Sequence, residues 1–285
     1  MKKLLSLWRM KDASLSRSSD LSLSVGSSYS DLSTDGSYNL QHRHSKKLHK
    51  AASVGDLEKL KEYLKHKKHD VDKRDKGHRT PLHLACANGY ENIVSLLIEN
   101  KCHVNVLDSE KRSPLIKAIQ YQKENCVTIL LDHGADPQLV DFRYNTALHY
   151  AVCGQSISIV RKLLEHKANL EAKNKDGYTP LLLAIVKNNA KMVKFLLKKG
   201  ADVNASDNNQ RTALMIALSI EPTSLVSLLL QQGVDLSCQD IYGFTAAEYA
   251  SCNGFTLYYE LIDSYGRLDK VEPTSFIENT MLGST

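Results

Sequence analysis

The chain has 285 residues, of which 42% are hydrophobic and 24% are charged, with only 14 Gly and 6 Pro. This composition is typical of a globular protein and excludes collagen-like and Pro-rich classes. The formal net charge of +5 is too small to indicate nucleic-acid binding by itself. No apolar run approaches the roughly 18 residues of a transmembrane helix.

Residues 1–11 combine apolar and basic side chains, and two interpretations of this segment stay open. Arg9 and Lys11 interrupt the apolar run and no small-residue cleavage site follows, which argues against a secretory signal peptide. An ordinary mobile terminus is the simpler interpretation. The alternative is a weak membrane anchor, because Trp8 suits the depth of the lipid interface. A peripheral membrane adaptor anchored through residues 1–11 is therefore our second functional hypothesis.

The segments that flank the central part of the chain are poor in bulky apolar residues. Residues 14–37 contain 11 Ser among 24 positions. Such a segment cannot bury enough apolar surface to offset the entropy lost on folding. We predict a disordered Ser-rich tail over residues 1–45 and a short C-terminal tail over residues 267–285.

Between these tails, a six-residue block begins every 33 residues. Its copies are Thr80–Ala85, Ser113–Ala118, Thr146–Ala151, Thr179–Ala184, Thr212–Ala217 and Thr245–Ala250, with a weaker copy at Leu48–Ala51. Five residues before each block lies an acid or amide: Asp75, Asp108, Asp141, Asn174, Asp207 and Asp240. An apolar segment follows each block. A fixed period of this length predicts stacked units that share one core.

The block suits a short helix that is entered from a turn. Thr or Ser at its first position is a favoured N-cap, and Pro at the second tolerates the missing N–H of the first helical turn. The following Leu and Ala predict a buried stripe. Gly55, Gly89 and Gly254 lie where this helix must end in left-handed backbone. The Asp and Gly residues before the next block predict a turn that projects as a finger.

The 33-residue period with the block Thr-Pro-Leu-His-x-Ala resembles the ankyrin-repeat family. The resemblance covers about residues 47–266 and implies an all-α ankyrin-repeat solenoid of helix-turn-helix units with β-turn fingers. We predict about six full repeats plus an N-terminal capping repeat, in a domain that spans residues 46–266.

The sequence predicts no catalytic or metal-binding constellation. His83 and His149 occupy the same block position, for which the family resemblance implies a structural hydrogen bond. They are two repeats apart, roughly 20 Å at about 8–10 Å per helix layer, and so cannot share a metal. The six cysteines form no C-x-x-C pair, which indicates reduced thiols in an intracellular protein. We predict a protein that is not an enzyme, with no cofactor and no small-molecule substrate.

Protein recognition remains, and the resemblance implies that the concave face and the fingers bind the partner. The residue before each cap is expected to be exposed on its finger, and Tyr144 takes a finger position where many ankyrin repeats have Gly. Arg and aromatic side chains are frequent interface hot spots. The predicted partner-binding residues are Phe142, Tyr144, Tyr178, Tyr242, Phe244, Arg79, Arg112, Arg211 and Tyr121. For each ring, packing on the neighbouring finger is the structural alternative.

Four stretches resemble one vertebrate ankyrin subfamily, which includes the POTE ankyrin proteins. They are Lys47–Leu57, Leu82–Gly89, Thr128–Asp136 and Glu171–Gly177. The resemblance implies a role in male germ cells and supplies no biochemical activity. We predict a non-catalytic protein-interaction module, scaffold or adaptor. The expected form is a monomer in the cytoplasm, with the nucleus as the alternative compartment, and nucleic acid is not expected as a partner.

Overall fold

The computed structural model describes residues 47–65, 70–220 and 224–268. Within these ranges the chain forms seven consecutive helix pairs, which we call repeats 1 to 7. The helices are α1 (Lys47–Val54), α2 (Leu57–Lys65), α3 (Pro81–Asn88), α4 (Glu91–Glu99), α5 (Pro114–Gln120), α6 (Glu124–Asp132), α7 (Ala147–Cys153), α8 (Ile157–Glu165), α9 (Pro180–Val186), α10 (Ala190–Lys198), α11 (Ala213–Ser219), α12 (Ser224–Leu230), α13 (Ala246–Cys252) and α14 (Thr256–Leu268). The predicted series of six repeats behind an N-terminal capping repeat is confirmed.

The first helix of each repeat from repeat 2 onward begins directly after the predicted Thr or Ser, which is its N-cap. The backbone of these six caps is extended, with φ between −87° and −74° and ψ between 164° and 171°. In three repeats a Pro opens the helix, where no N–H is needed. The cap residue fixes where the helix starts in all six repeats, and the Pro reinforces it in three of them.

The helices form two layers with the core between them. The odd-numbered helices pack on one another from repeat to repeat as an inner layer, and the even-numbered helices do so as an outer layer. The inner helices of repeats 2 to 6 are almost entirely buried, as Pro81–Ala87 of α3 shows, whereas those of the end repeats 1 and 7 are exposed on one side. Each outer helix buries one stripe only, such as Val193 and Leu196 of α10, both 0% exposed. One repeat alone would leave both stripes in water, so stability comes from stacking.

The predicted glycine ends of the first helices are confirmed. Gly55, Gly89 and Gly254 have φ of +81°, +82° and +76°. This left-handed conformation costs Gly little because it has no Cβ. Gln122 and Gln155 reach the same region in other repeats, with φ of +55° and +58°.

Several sequence predictions lie outside the described residues. They concern the Ser-rich tail of residues 1–45, the basic-apolar segment of residues 1–11 and almost all of the C-terminal tail. Helix α14 ends at Leu268, past the predicted end of the domain at residue 266. The two boundaries between the three predicted segments stay predictions. In the described part of the chain, no helix is both long and apolar enough to cross a membrane.

Candidate protein-binding surface

Six five-residue turns lead into repeats 2 to 7, and we call them fingers 1 to 6. They are Asp75–Arg79, Asp108–Arg112, Asp141–Asn145, Asn174–Tyr178, Asp207–Arg211 and Asp240–Phe244. The first residue of each finger closes the turn with one side-chain oxygen. In finger 3, Asp141 Oδ1 accepts the N–H groups of Arg143 and Asn145, both at 2.8 Å. The same pair of bonds recurs in all six fingers, which confirms the predicted turn.

Neighbouring fingers are joined through their backbones. In fingers 2, 4, 5 and 6 the second residue donates its N–H to the third residue of the preceding finger, as Lys175 does to the Arg143 carbonyl at 2.8 Å. Ser109 and Ile241 make the equivalent bonds to Gly77 and Asn209 at 2.9 and 3.0 Å. The fingers therefore form one extended surface with a fixed spacing between its side chains.

The second oxygen of each finger Asp is bound by the residue before the cap, by the fifth block residue or, at Asp141, by both. In two repeats with a finger Asp the fifth block residue is apolar (Leu84 and Ile216), and the Arg before the cap binds this oxygen. Arg79 Nη2, for example, lies 2.7 Å from Asp75 Oδ2. Where the fifth block residue is polar, that residue binds it: Lys117 to Asp108 at 3.0 Å, Tyr150 to Asp141 at 2.6 Å and Tyr249 to Asp240 at 2.8 Å. Some predicted contact residues thus serve the finger itself.

Tyr178 and Arg211 are two such residues, and their predicted exposure is wrong. Tyr178 is 6% and Arg211 8% exposed. Arg211 lies 2.7 Å from Asp207 Oδ2 and donates to the Tyr178 hydroxyl at 3.2 Å. Burial raises the pKa of the Tyr178 hydroxyl, and Arg211 opposes this rise. The pair ties fingers 4 and 5 together from within, so neither side chain offers a free contact surface.

Phe142 and Tyr144 of finger 3 are exposed as predicted, 57% and 58% respectively. Tyr144 has φ of +59°, whereas the same position in fingers 4 and 6 is Gly177 and Gly243. His78, Lys111 and Gln210 take this position in fingers 1, 2 and 5 with φ of +58°, +56° and +59°, so the turn accepts a side chain here, and Tyr144 differs from them by its exposed aromatic ring. Lys111 of finger 2 lies over the Phe142 ring, with Nζ 5.2 Å from its centroid. Together these side chains form a projecting aromatic and cationic tip.

Finger 6 presents a second aromatic tip at the far end of the solenoid. Tyr242 is 47% exposed and Ile241 is 48% exposed. Phe244 is half-buried because its ring packs edge-on against Tyr249, with the ring centroids 6.5 Å apart. The exposure of Tyr242 is therefore that expected of a contact residue, whereas Phe244 is only partly exposed.

The remaining predicted contact residues are half-buried. Arg79 makes the ion pair with Asp75, and Arg112 makes one with Glu110 at 2.6 Å while its guanidinium lies 6.0 Å from the Tyr150 ring centroid. Tyr121 follows the last residue of α5. These side chains support the finger surface and expose only part of themselves on it.

The histidines at the fourth block position hold neighbouring repeats together. Thr80 donates its backbone N–H to His83 Nδ1 at 3.0 Å, so the proton is on Nε2, which donates to the Arg112 carbonyl at 3.1 Å. His149 makes the same two bonds to Thr146 and Tyr178 at 3.2 and 2.9 Å. The expected structural role is confirmed, and neither ring is available as a ligand.

Burial lowers the pKa of His83 to about 4 and also lowers the pKa of His149. An unfolded chain has an ordinary His pKa of about 6.5 and therefore binds more protons than the folded chain as the pH falls from about 6.5 to 4. The free energy of unfolding should decrease over this interval. Protonation would also turn Nδ1 into a donor that faces the Thr80 N–H.

We expect His83→Gln to flatten this pH dependence. The amide does not titrate, so the loss of stability between pH 6.5 and 4.5 should be smaller than in wild type, although the variant is about 1–2 kcal/mol less stable at pH 7 because a buried hydrogen bond is lost. Equilibrium urea unfolding at both pH values measures the difference. Equal pH slopes for the two proteins would contradict the assignment.

No group of three or more His, Cys, Asp or Glu side chains among the described residues is placed to hold a metal ion. The thiols of Cys86, Cys102 and Cys126 are buried, and burial raises the pKa of each. A thiol with a raised pKa is a poor nucleophile.

Comparison with known proteins agrees with the fold. The family model described as "Ankyrin repeats (3 copies)" matches residues 48–141 and 138–207, and the one described as "Ankyrin repeat" matches residues 209–241. The human protein "Ankyrin repeat domain-containing protein 7" is 61% identical over 102 residues, which are 36% of this chain and 33% of the relative. The chain thus spans about one third of the length of that relative.

Two solved structures are similar across most of the chain. The ankyrin repeat domain of Bcl-3, described as a unique member of the IkappaB protein family, has a TM-score of 0.69 and 28% identity, with 73% of this chain and 95% of that chain covered. The human ASB11 ankyrin repeat domain has a TM-score of 0.64 and 27% identity, with 76% and 98% covered. The repeat geometry and the family matches lead to the same conclusion: the chain belongs to the ankyrin-repeat family.

Proposed function

We propose that this solenoid is a non-catalytic adaptor that binds a protein partner across fingers 2 to 6. Ankyrin-repeat domains are protein-interaction modules. The observation that carries the proposal is the pair of aromatic side chains on finger 3, since Phe142 is 57% and Tyr144 is 58% exposed. Tyr242 of finger 6 presents a third exposed ring. Exposed aromatic side chains that the fold does not need are typical of interface anchors.

The setting of this function is also part of the proposal. Six cysteines, none of which forms a C-x-x-C pair, favour a reducing cytoplasmic location, and the subfamily resemblance favours male germ cells. We expect the free protein to be a monomer. The alternative of a membrane adaptor depends on residues 1–11, which lie outside the described residues, and it stays a prediction.

Proximity labelling with the full chain in testicular germ cells tests the finger surface. We expect the double variant Phe142→Ala/Tyr144→Gly to reduce the labelling of one set of neighbours at least tenfold. Truncation of a hot-spot side chain usually costs roughly 2 kcal/mol or more of binding free energy. The fold should survive, since Gly occupies the Tyr144 position in fingers 4 and 6. A melting temperature near that of wild type checks this point.

The matched control is Val54→Ala/Leu257→Ala, which also shortens two exposed apolar side chains, 58% and 79% exposed, but away from the fingers. It should keep the wild-type set of neighbours. If the finger variant keeps that set too, fingers 2 to 6 are not the binding surface. Substitution of Tyr178 does not serve this test, because its buried side chain supports two fingers.

A further inference from the structure

A positively charged surface, separate from the fingers, lies on the outer layer of helices. Helix α10 and the residue after it carry Lys191, Lys194, Lys198 and Lys199, all exposed, and no acidic residue lies between them. The other outer helices carry charges of both signs, acids alone, or no charge in the described part of the chain, as α12 does. The uniform positive charge of α10 therefore sets it apart from the outer layer around it.

Arg161 of α8 extends this surface across two repeats. Its guanidinium lies 5.7 Å from the centroid of the Phe195 ring, and Lys199 Nζ lies 5.8 Å from the same centroid. Phe195 is half-buried between the two cations. We call Arg161, Lys191, Lys194, Phe195, Lys198 and Lys199 the outer basic patch.

The cations of the outer basic patch have no carboxylate partner within 4.0 Å in the described part of the chain. Lys191, Lys194 and Lys198 follow one another at intervals of three and four, where like charges on a helix repel. Lys191 also lies in the first turn, where the helix dipole disfavours a cation. The dipole favours Lys198 in the last turn, so the unfavourable charge lies toward the start of α10, where a bound anionic group would relieve the repulsion.

We propose that the outer basic patch binds an acidic peptide segment of a partner protein, with an apolar side chain of that segment against Phe195. The proposal concerns a surface separate from the fingers and does not rest on the function proposed for them. The row from Lys191 to Lys198 is about 10 Å long at 1.5 Å per residue. An extended peptide covers that distance with about three residues, so four to six residues span the patch.

The borders of the patch favour a narrow peptide over a flat anionic membrane. On the α8 side lie the exposed Glu165 and Asp132, and the latter lies 3.8 Å from His166. On the α12 side lie the uncharged Ser227 and Gln231. A membrane broad enough to meet all five cations would also approach these carboxylates, whereas a peptide that follows α10 avoids them.

Fluorescence anisotropy with a labelled hexaglutamate peptide and the full chain tests the patch. We expect binding in dilute salt that is lost as salt is raised to about 0.5 M, because exposed charges are screened. Lys191→Gln/Lys194→Gln/Lys198→Gln should weaken binding about tenfold, since each exposed ion pair contributes a modest factor. Its melting temperature should equal or exceed that of wild type, because repulsion within α10 is removed.

The control variant Lys50→Gln/Lys73→Gln/Lys101→Gln removes the same charge from exposed lysines outside both the patch and the fingers and should bind hexaglutamate like wild type. If both triple variants weakened hexaglutamate binding equally, net charge alone would explain the effect and the proposal would be overturned. The absence of any hexaglutamate binding would overturn it too. Vesicles with 30% phosphatidylserine form a parallel arm. If the chain bound these vesicles through the α10 lysines but did not bind hexaglutamate, the patch would be a lipid-binding surface and the peptide proposal would be overturned.

Discussion

Lys117→Met is expected to lower the free energy of unfolding by about 3–5 kcal/mol, the usual result of removing one partner of a buried ion pair. Lys117 is 4% exposed and Asp108 is 7% exposed, and their charged atoms are 3.0 Å apart. Burial raises the pKa of the Asp108 carboxyl, but Lys117 and two backbone N–H groups outweigh this effect, so the net pKa is lowered. Without Lys117 the carboxylate would remain buried and unpaired on that side.

Lys117→Tyr is the matched variant that the chain itself provides, and it should retain most of the stability. Tyr150 and Tyr249 occupy the equivalent positions and donate to their finger Asp at 2.6 and 2.8 Å. Urea unfolding of the three proteins at pH 7 measures the effect. If Lys117→Tyr were as unstable as Lys117→Met, the expectation that Tyr can replace Lys as the partner of the finger Asp would be wrong.

Gly177→Ala is expected to destabilise the protein by about 2–4 kcal/mol, against about 1 kcal/mol for Gly243→Ala. Both glycines have nearly the same left-handed φ, +81° and +82°, so both pay the same backbone cost. Only at Gly177 would a Cβ collide with the next finger, through Asn208 N and through Asn208 Oδ1 at 2.5 Å. Overpacking of this kind adds about 1–3 kcal/mol.

The comparison of the two glycine variants isolates the contact between fingers 4 and 5. At that contact Asn208 donates its side-chain Nδ2 to the Lys175 carbonyl at 2.9 Å. A Cβ at Gly243 has nothing within 4 Å, so its cost is that of the turn alone. Thermal and urea unfolding of both variants measure the difference. Equal losses would mean that fingers 4 and 5 can separate without cost.

The repeat, its caps and its turns could be predicted because each rests on residues close in sequence. Thr80 and Pro81 start a helix, and Asp75 closes a turn, through contacts within a few positions. The burial of Tyr178 and Arg211 could not be predicted in this way, since they meet across 33 positions and two fingers. A signal was nevertheless present: Arg211 precedes a block whose fifth residue is the apolar Ile216, which leaves Asp207 in need of another partner.

The outer basic patch could not be predicted for a related reason. The lysines of α10 lie in the sequence where any solvated helix carries charges, and the pattern along the chain does not join them to Arg161. The contact of Arg161 and Lys199 with one ring joins two repeats and is visible only in three dimensions. The absence of any acid from Ala190 to Lys198 was the signal that composition offered.

The histidine bonds divide the solenoid into joints of two kinds. His49, His83 and His149 each bind the backbone of the following repeat, which fastens repeats 1, 2 and 3 to one another and repeat 4 to repeat 5. At the same position repeats 3, 5 and 6 have Ile116, Leu182 and Met215, whose apolar side chains cannot replace this bond.

Under a pulling force the array should therefore part first at a joint that lacks this bond, between repeats 3 and 4, 5 and 6 or 6 and 7. Finger 3, with Phe142 and Tyr144, lies at the first of these joints. A partner bound across it would reinforce that joint, and the complex would then bear more load there than the free chain.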